Sequence, residues 1–120
     1  MAFTESQKEK FLGSLMDMRR KGQSTEVNLR FQQQTVEADQ VKEASKRLTD
    51  QIDALVGDAM NQWLGSAASA MTELGKKSNG IDASIAAIKK KQKIAENVVK
   101  AVGFIDDAVA IAKKALAGGI

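Results

Sequence analysis

The apolar residues of this chain recur at alternating intervals of four and three, and that spacing constrains the fold more than any other feature. Val27, Phe31, Gln34, Ala38, Val41, Ser45, Leu48, Ile52, Leu55 and Ala59 hold the spacing on one stripe. Ala67, Met71, Leu74, Ser78, Ile81, Ile85, Ile88, Gln92, Ala95, Val99 and Val102 hold it on a second. Such an alternation is the heptad seam of packed α-helices. The two runs flank Trp63-Leu64-Gly65-Ser66, which holds the only Trp. Pro is absent and aromatics make up 4% of the chain, so the strongest helix breaker is missing and strand formers are scarce. The expected fold is all-α: an antiparallel helical hairpin of two long arms, with an extra short N-terminal helix and a second arm open to a break.

Taken in order, the short helix is expected over residues 5–21. Ser6 to Glu9 fits a capping box, with Thr4 to Gln7 as the competing register. Arg19-Arg20-Lys21 and Gly22 read as its stop. Ser24 or Thr25 then caps a first arm over 25–62. At ~1.5 Å per residue that arm is too long to fold without a partner helix along it. Gln34 and Ser45 interrupt the stripe, either as a tolerated polar layer or as residues that fix register. Residues 63–66 form the turn, with Gly65 free to take positive φ and Ser66 capping the next helix. The second arm covers 66–117. Lys76 to Gly80 is a helix-stop signal, yet the heptad phase runs through it, so the expectation is a kink at 78–80 within one arm. The alternative is a separate helix from Asp82 onward and a compact bundle of four. Near Gly103 and Asp106 the stripe slips by one residue, to Val98, Val102, Ile105, Val109, Ala112 and Leu116. Gly118-Gly119 ends the helix.

With no Cys and no His, disulfides, the usual zinc ligands and His acid–base chemistry are excluded. Asp106-Asp107 and the Asp50/Asp53 pair are the only candidate catalytic carboxylates, and each reads as part of a charged helix face. No catalytic, cofactor or metal residue is expected, and the chain does not read as an enzyme. The net charge of +3, from 18 basic and 15 acidic residues, describes a mixed helical surface rather than a nucleic-acid footprint. Lys89, Lys90, Lys91 and Lys93 form a basic cluster. It is read as a solvated face near a helix middle, or else as a contact for phosphates or an anionic membrane. The Ala-rich amphipathic tail offers a second route to a membrane surface. Met1–Glu9 lacks the pattern of a cleaved leader, and no apolar run is long enough to span a bilayer.

Trp63 has two readings: it fills the hairpin tip, or it anchors a groove shared with a second molecule. One hairpin exposes more seam than it can cover. Val27, Phe31, Val41, Leu48, Ile52, Leu55, Leu74, Ile81, Ile85, Ile88, Val99 and Val102 are therefore expected to meet a partner, in a homodimer or a heterodimer with another helical protein.

Trp63-Leu64-Gly65, followed by Ala67, Ala68, Ala70 and Met71, resembles the W-x-G-x-A-A-x-A-F stretch of the WXG100 (ESAT-6-like) proteins, with Met71 at the Phe place. The resemblance implies helical hairpins with W-x-G in the turn. It implies pairing into four-helix bundles and export from the bacterial cytoplasm by type VII secretion, without a cleaved signal peptide. Trp63 and Gly65 would shape the turn, and Trp63 would help form the groove a secretion partner reads. The helix at 5–21 is extra to that pattern. The family's export signal, a Tyr with an acid four residues later, has no counterpart: Tyr is absent, and Ala108 stands four after Phe104. The implied function is a secretion substrate, partner or adaptor for a larger effector. A membrane-active toxin or pore-forming component is one alternative, and a structural coiled-coil subunit of a filament or phage particle is another.

Overall fold

A computed structural model describes residues 3–117 of the chain; the expected stop at Gly118-Gly119 lies outside them. Thr4 opens the first helix. Its side chain accepts the Gln7 N–H, and the Gln7 side chain accepts the Thr4 N–H, which completes the capping box in the Thr4 register. Helix α1 then runs over Glu5–Phe31, past Lys21 and Gly22. Three further helices follow: α2 (Thr35–Gly57), α3 (Ala67–Lys89) and α4 (Ile94–Ala117). The fold is all-α, as expected. The short helix at 5–21, the unbroken arm at 25–62 and the break at 78–80 are not formed.

The stops differ from expectation because two glycines serve packing and two longer residues serve as helix ends. The buried seam of α1 is Phe11, Leu15, Met18, Gly22, Thr25 and Leu29, a four-three alternation with Gly22 inside it. A Cβ at Gly22 would lie 2.5 Å from Ser45 Oγ and 3.2 Å from Ile105 Cδ1. Glycine there lets α2 pass close to α1. Gly80 does the same on α3, where a Cβ would lie 2.5 Å from the Phe104 ring. The actual stops are two Schellman motifs. After α1, the Gln33 N–H donates to Arg30 O and the Gln34 N–H to Leu29 O. After α3, the Lys91 N–H donates to Ile88 O and the Gln92 N–H to Ala87 O. Gln33 (φ 61°) and Lys91 (φ 59°) hold the left-handed positions that glycine usually fills.

These two turns make two antiparallel hairpins, α1/α2 and α3/α4. Around the bundle each helix has two neighbours: α1 packs on α2, α2 on α4, α4 on α3, and α3 on α1. Helices α2 and α3 occupy opposite corners, with no close backbone approach among the described residues. Residues 58–66 therefore cross one end of the bundle diagonally. Trp63-Leu64-Gly65 is not the tip of a hairpin whose arms zip together, and that expectation is corrected. The architecture is the four-helix alternative, cut at 32–34 and 90–93 rather than near Asp82. The slip expected near Gly103 lies earlier, between Ile88 and Val98, across the second of those cuts.

One apolar cluster fills most of the bundle, with Phe11, Leu15, Met18, Leu48, Ile52, Leu55, Leu74, Ile81 and Ile105 at its centre. Each of these side chains contributes about 1.5–3 kcal/mol on burial. Ala44, Ala101, Ala108 and Ala112 line the seams between them and let the helices approach. Leu29, Ala38, Val41, Ile88 and Val98 form a smaller cluster toward the two hairpin tips.

A urea-unfolding series separates the packing glycines from the idle ones. Gly75→Ala adds a Cβ that meets nothing within 4 Å and is expected to raise stability by about 1 kcal/mol. Gln33→Gly is expected to raise it by about 1 kcal/mol, by relieving the left-handed residue. Gly22→Val is expected to lower it by about 1–3 kcal/mol through overpacking against Ser45 and Ile105.

Candidate functional site

The crossing segment over the bundle end gathers most of the chain's aromatic residues. Trp63 is wholly buried. Its ring centroid lies 5.3 Å from that of Phe3 and 6.4 Å from that of Phe11, both edge-on. Edge-to-face pairs of this kind add to the area they bury. The indole N–H donates to Asp58 O at 3.0 Å, and the Phe3 N–H donates to Trp63 O at 3.4 Å. All the groups that enclose Trp63 come from its own chain. Of its two readings, the observed one is that Trp63 fills the end of the bundle, with its ring closed off by Phe3 and Phe11.

Lys8 locks the same end. Its ammonium donates to Asn61 O at 2.7 Å, to Ala59 O at 2.9 Å and to Glu5 Oε1 at 3.3 Å. It also sits 5.4 Å from the Trp63 ring centroid, within cation–π range. Three acceptors satisfy the three protons of a side chain only 7% exposed. Sequence reasoning missed Lys8. The signal was present, since Lys8 stands three residues before Phe11, on the buried stripe itself.

Gly65 is required here, for a reason other than the one expected. Its φ is not in the left-handed region. Instead its N–H donates to Ala115 O at 3.0 Å, and a Cβ would lie 2.7 Å from Lys114 O and 2.8 Å from Ala115 Cα. Backbone meets backbone where the segment passes over the end of α4. Ser66 then caps α3 by accepting the Ser69 N–H. Ala67 and Ala70 are buried against the bundle, Met71 is half-buried, and Ala68 faces out. Between the pinned points the segment carries apolar side chains into solvent, with Met60 96% exposed and Leu64 61%, and Val56 in the last turn of α2 is 50% exposed.

The expected interface residues divide into two groups. Val41, Leu48, Ile52, Leu55, Leu74, Ile81 and Ile88 are buried in the chain's own core, with Ile85 and Val102 packed half-buried against it. Those positions face other helices of the same chain, because four helices cover the seams that a two-helix hairpin would leave open. Val27, Phe31 and Val99 are exposed. They fit the four-three spacing one phase away from the stripes that are buried.

Lys89, Lys90, Lys91 and Lys93 lie at the end of α3 and in the 90–93 turn, at the opposite end of the bundle, rather than near a helix middle. Asp106 takes both guanidinium arms of Arg47 at 2.9 and 3.1 Å, fastening α4 to α2. Asp107 pairs with Lys77 at 3.3 Å, fastening α4 to α3. Lys21 reaches from α1 to α3, 2.9 Å from both Asp82 and Ser78 Oγ, with Asp17 at 3.4 Å. Burial works against the Lys21 charge, but Asp82 and then Asp17 outweigh it and raise its pKa above 10.5. Among the described residues no three acidic side chains cluster as a metal site, and no helix is long and apolar enough to cross a membrane. Comparison of the chain with protein-family models, with curated proteins and with solved structures gives no match.

Lys8→Met is expected to cost about 2–4 kcal/mol in urea unfolding, since it strands two carbonyls beneath the crossing segment. Gly65→Ala is expected to cost about 1–3 kcal/mol by pushing that segment off α4. The raised Lys21 pKa contributes stability that is fully present below pH 10.5 and is lost as pH rises through the folded value. The alkaline fall in melting temperature should accordingly be smaller in Asp82→Asn than in the wild type.

Proposed function

We propose that this chain is a non-enzymatic binding protein, a self-contained helical bundle that docks a helical protein partner on its crossing segment. One observation carries this: Met60 and Leu64 stand in solvent on a segment fixed at both sides. Lys8 holds the carbonyls of Ala59 and Asn61, and Gly65 is bonded to Ala115. Exposed apolar side chains on a rigid backbone lose little freedom when a partner covers them, so their burial goes largely into affinity. Val56, just before the segment, extends the apolar surface.

The W-x-G-x-A-A-x-A pattern at 63–70 supports a role of the WXG100 type, as a type VII secretion substrate, partner or adaptor for a larger effector. The partner then adds to a finished bundle at its capped end. Pairing through the heptad seams is not part of this proposal, because those seams are already filled.

The test is export from a bacterium carrying a type VII system. The wild-type chain should reach the medium only when the secretion ATPase is active. A Met60→Lys, Leu64→Lys double variant should lose export at least tenfold while keeping the wild-type melting curve. Export that ignores the ATPase would remove the secretion reading. Export that ignores the double variant would remove the docking surface.

A further inference from the structure

The opposite end of the bundle carries a second surface. Helices α1 and α3 run parallel and finish at the same level. The side chain of Gln32 ties the two tips together by donating to Ile88 O at 3.1 Å. On one tip stand Lys89, Lys90, Lys91 and Lys93, all exposed. None of the four is ion-paired among the described residues, whereas Arg20, Lys21, Arg30, Arg47 and Lys77 have carboxylate partners; Lys113 and Lys114, near the other end, are a second and smaller pair without one. No acidic residue lies between Asp82 and Glu96. Of the acids nearest this end, Glu26 and Asp39 are engaged with Arg30 at 2.9 and 3.0 Å and Glu96 with Lys100 at 3.7 Å, while Glu37 in the first turn of α2 has no ion pair among the described residues, leaving the four lysines in excess.

Turn chemistry does not account for these lysines. Lys91 and Lys93 both have positive φ, 59° and 43°, where glycine or asparagine is the favoured choice. Cations near the end of α3 do complement its dipole, which accounts for Lys89 and Lys90. Lys93 directly precedes α4, where the dipole opposes a cation. On the neighbouring tip Phe31 is 84% exposed and Val36 67%. An aromatic and an aliphatic side chain left in water beside unpaired lysines match a lipid interface, which takes cations in its headgroup layer and apolar groups just beneath.

We infer that this end docks on an anionic lipid bilayer, with the four lysines among the headgroups and Phe31 at the acyl boundary. The contact is peripheral, and the long axis of the bundle points away from the membrane. It is independent of the partner surface, which lies at the other end.

Co-sedimentation with phosphatidylcholine vesicles, with and without phosphatidylglycerol, tests this. The wild type should bind the anionic vesicles at low salt, bind the neutral ones at background level, and release as salt rises. Each Lys→Gln change should lower partition about fivefold, and Phe31→Ser should lower it further at every salt concentration. Met60→Ser with Leu64→Ser, at the far end, should leave it unchanged. Lys89→Gln with Lys90→Gln provides a version that leaves both positive-φ residues intact, should Lys91→Gln or Lys93→Gln fold poorly. No binding to anionic vesicles, equal binding to neutral ones, or binding untouched by Lys89→Gln with Lys90→Gln would overturn the proposal. Tight binding to duplex DNA without vesicle binding would also overturn it, assigning the lysines to nucleic acid.

Discussion

The contact on which the molecule depends is the one between Gly65 and the end of α4. A segment that must travel between opposite corners of a bundle has to pass over the other two helices. Here it does so at backbone distance, with one hydrogen bond to Ala115 and no room for a side chain. Once the segment lies that low, Trp63 is driven down onto Phe3 and Phe11, and the indole plugs the end of the core. Lys8 then meets carbonyls just beyond the end of α2, a region of negative potential where a buried ammonium is well placed. The cap is thus one cooperative unit of aromatic packing, a satisfied charge and a glycine contact.

Much of the fold is legible in the sequence, and the rest is hidden for identifiable reasons. The four-three spacing and the lack of proline give helices throughout, and the buried stripe Val41, Leu48, Ile52 and Leu55 is read correctly. Around Phe31, however, two stripes fit the same spacing. Val27 and Phe31 look more apolar than Gly22, Thr25 and Leu29, yet the second set is inside. Thr25 can be buried because its hydroxyl bonds back to Lys21 O at 2.8 Å, which no local pattern announces. Glycine carries the opposite meaning from its usual one: Gly22 and Gly80 mark helix contacts, while Gln33 and Lys91 mark the ends. A left-handed Gln or Lys is indistinguishable by composition from its neighbours.

The candidate surfaces were legible to different degrees. That Trp63 and Gly65 matter is evident from their position between two heptad runs. Their surroundings are not, because Phe3, Lys8 and Ala115 come from the two far ends of the described chain. The lysine cluster is plain in the sequence, but its placement at a tip beside Phe31 required the topology. Met60 and Leu64 gave no signal, because an apolar residue near the end of a heptad run is assumed to belong to it.

The diagonal crossing also gives the molecule a polarity. Phe3 and Ala115 both lie under the crossing segment, while the 32–34 and 90–93 turns lie together at the far end of a body 44 Å long. Anything joined covalently to either described end of the chain is therefore held at the capped end, and the two turns project outward side by side. In shape the bundle is a short post, with its two ends kept at a set separation by the helices between them.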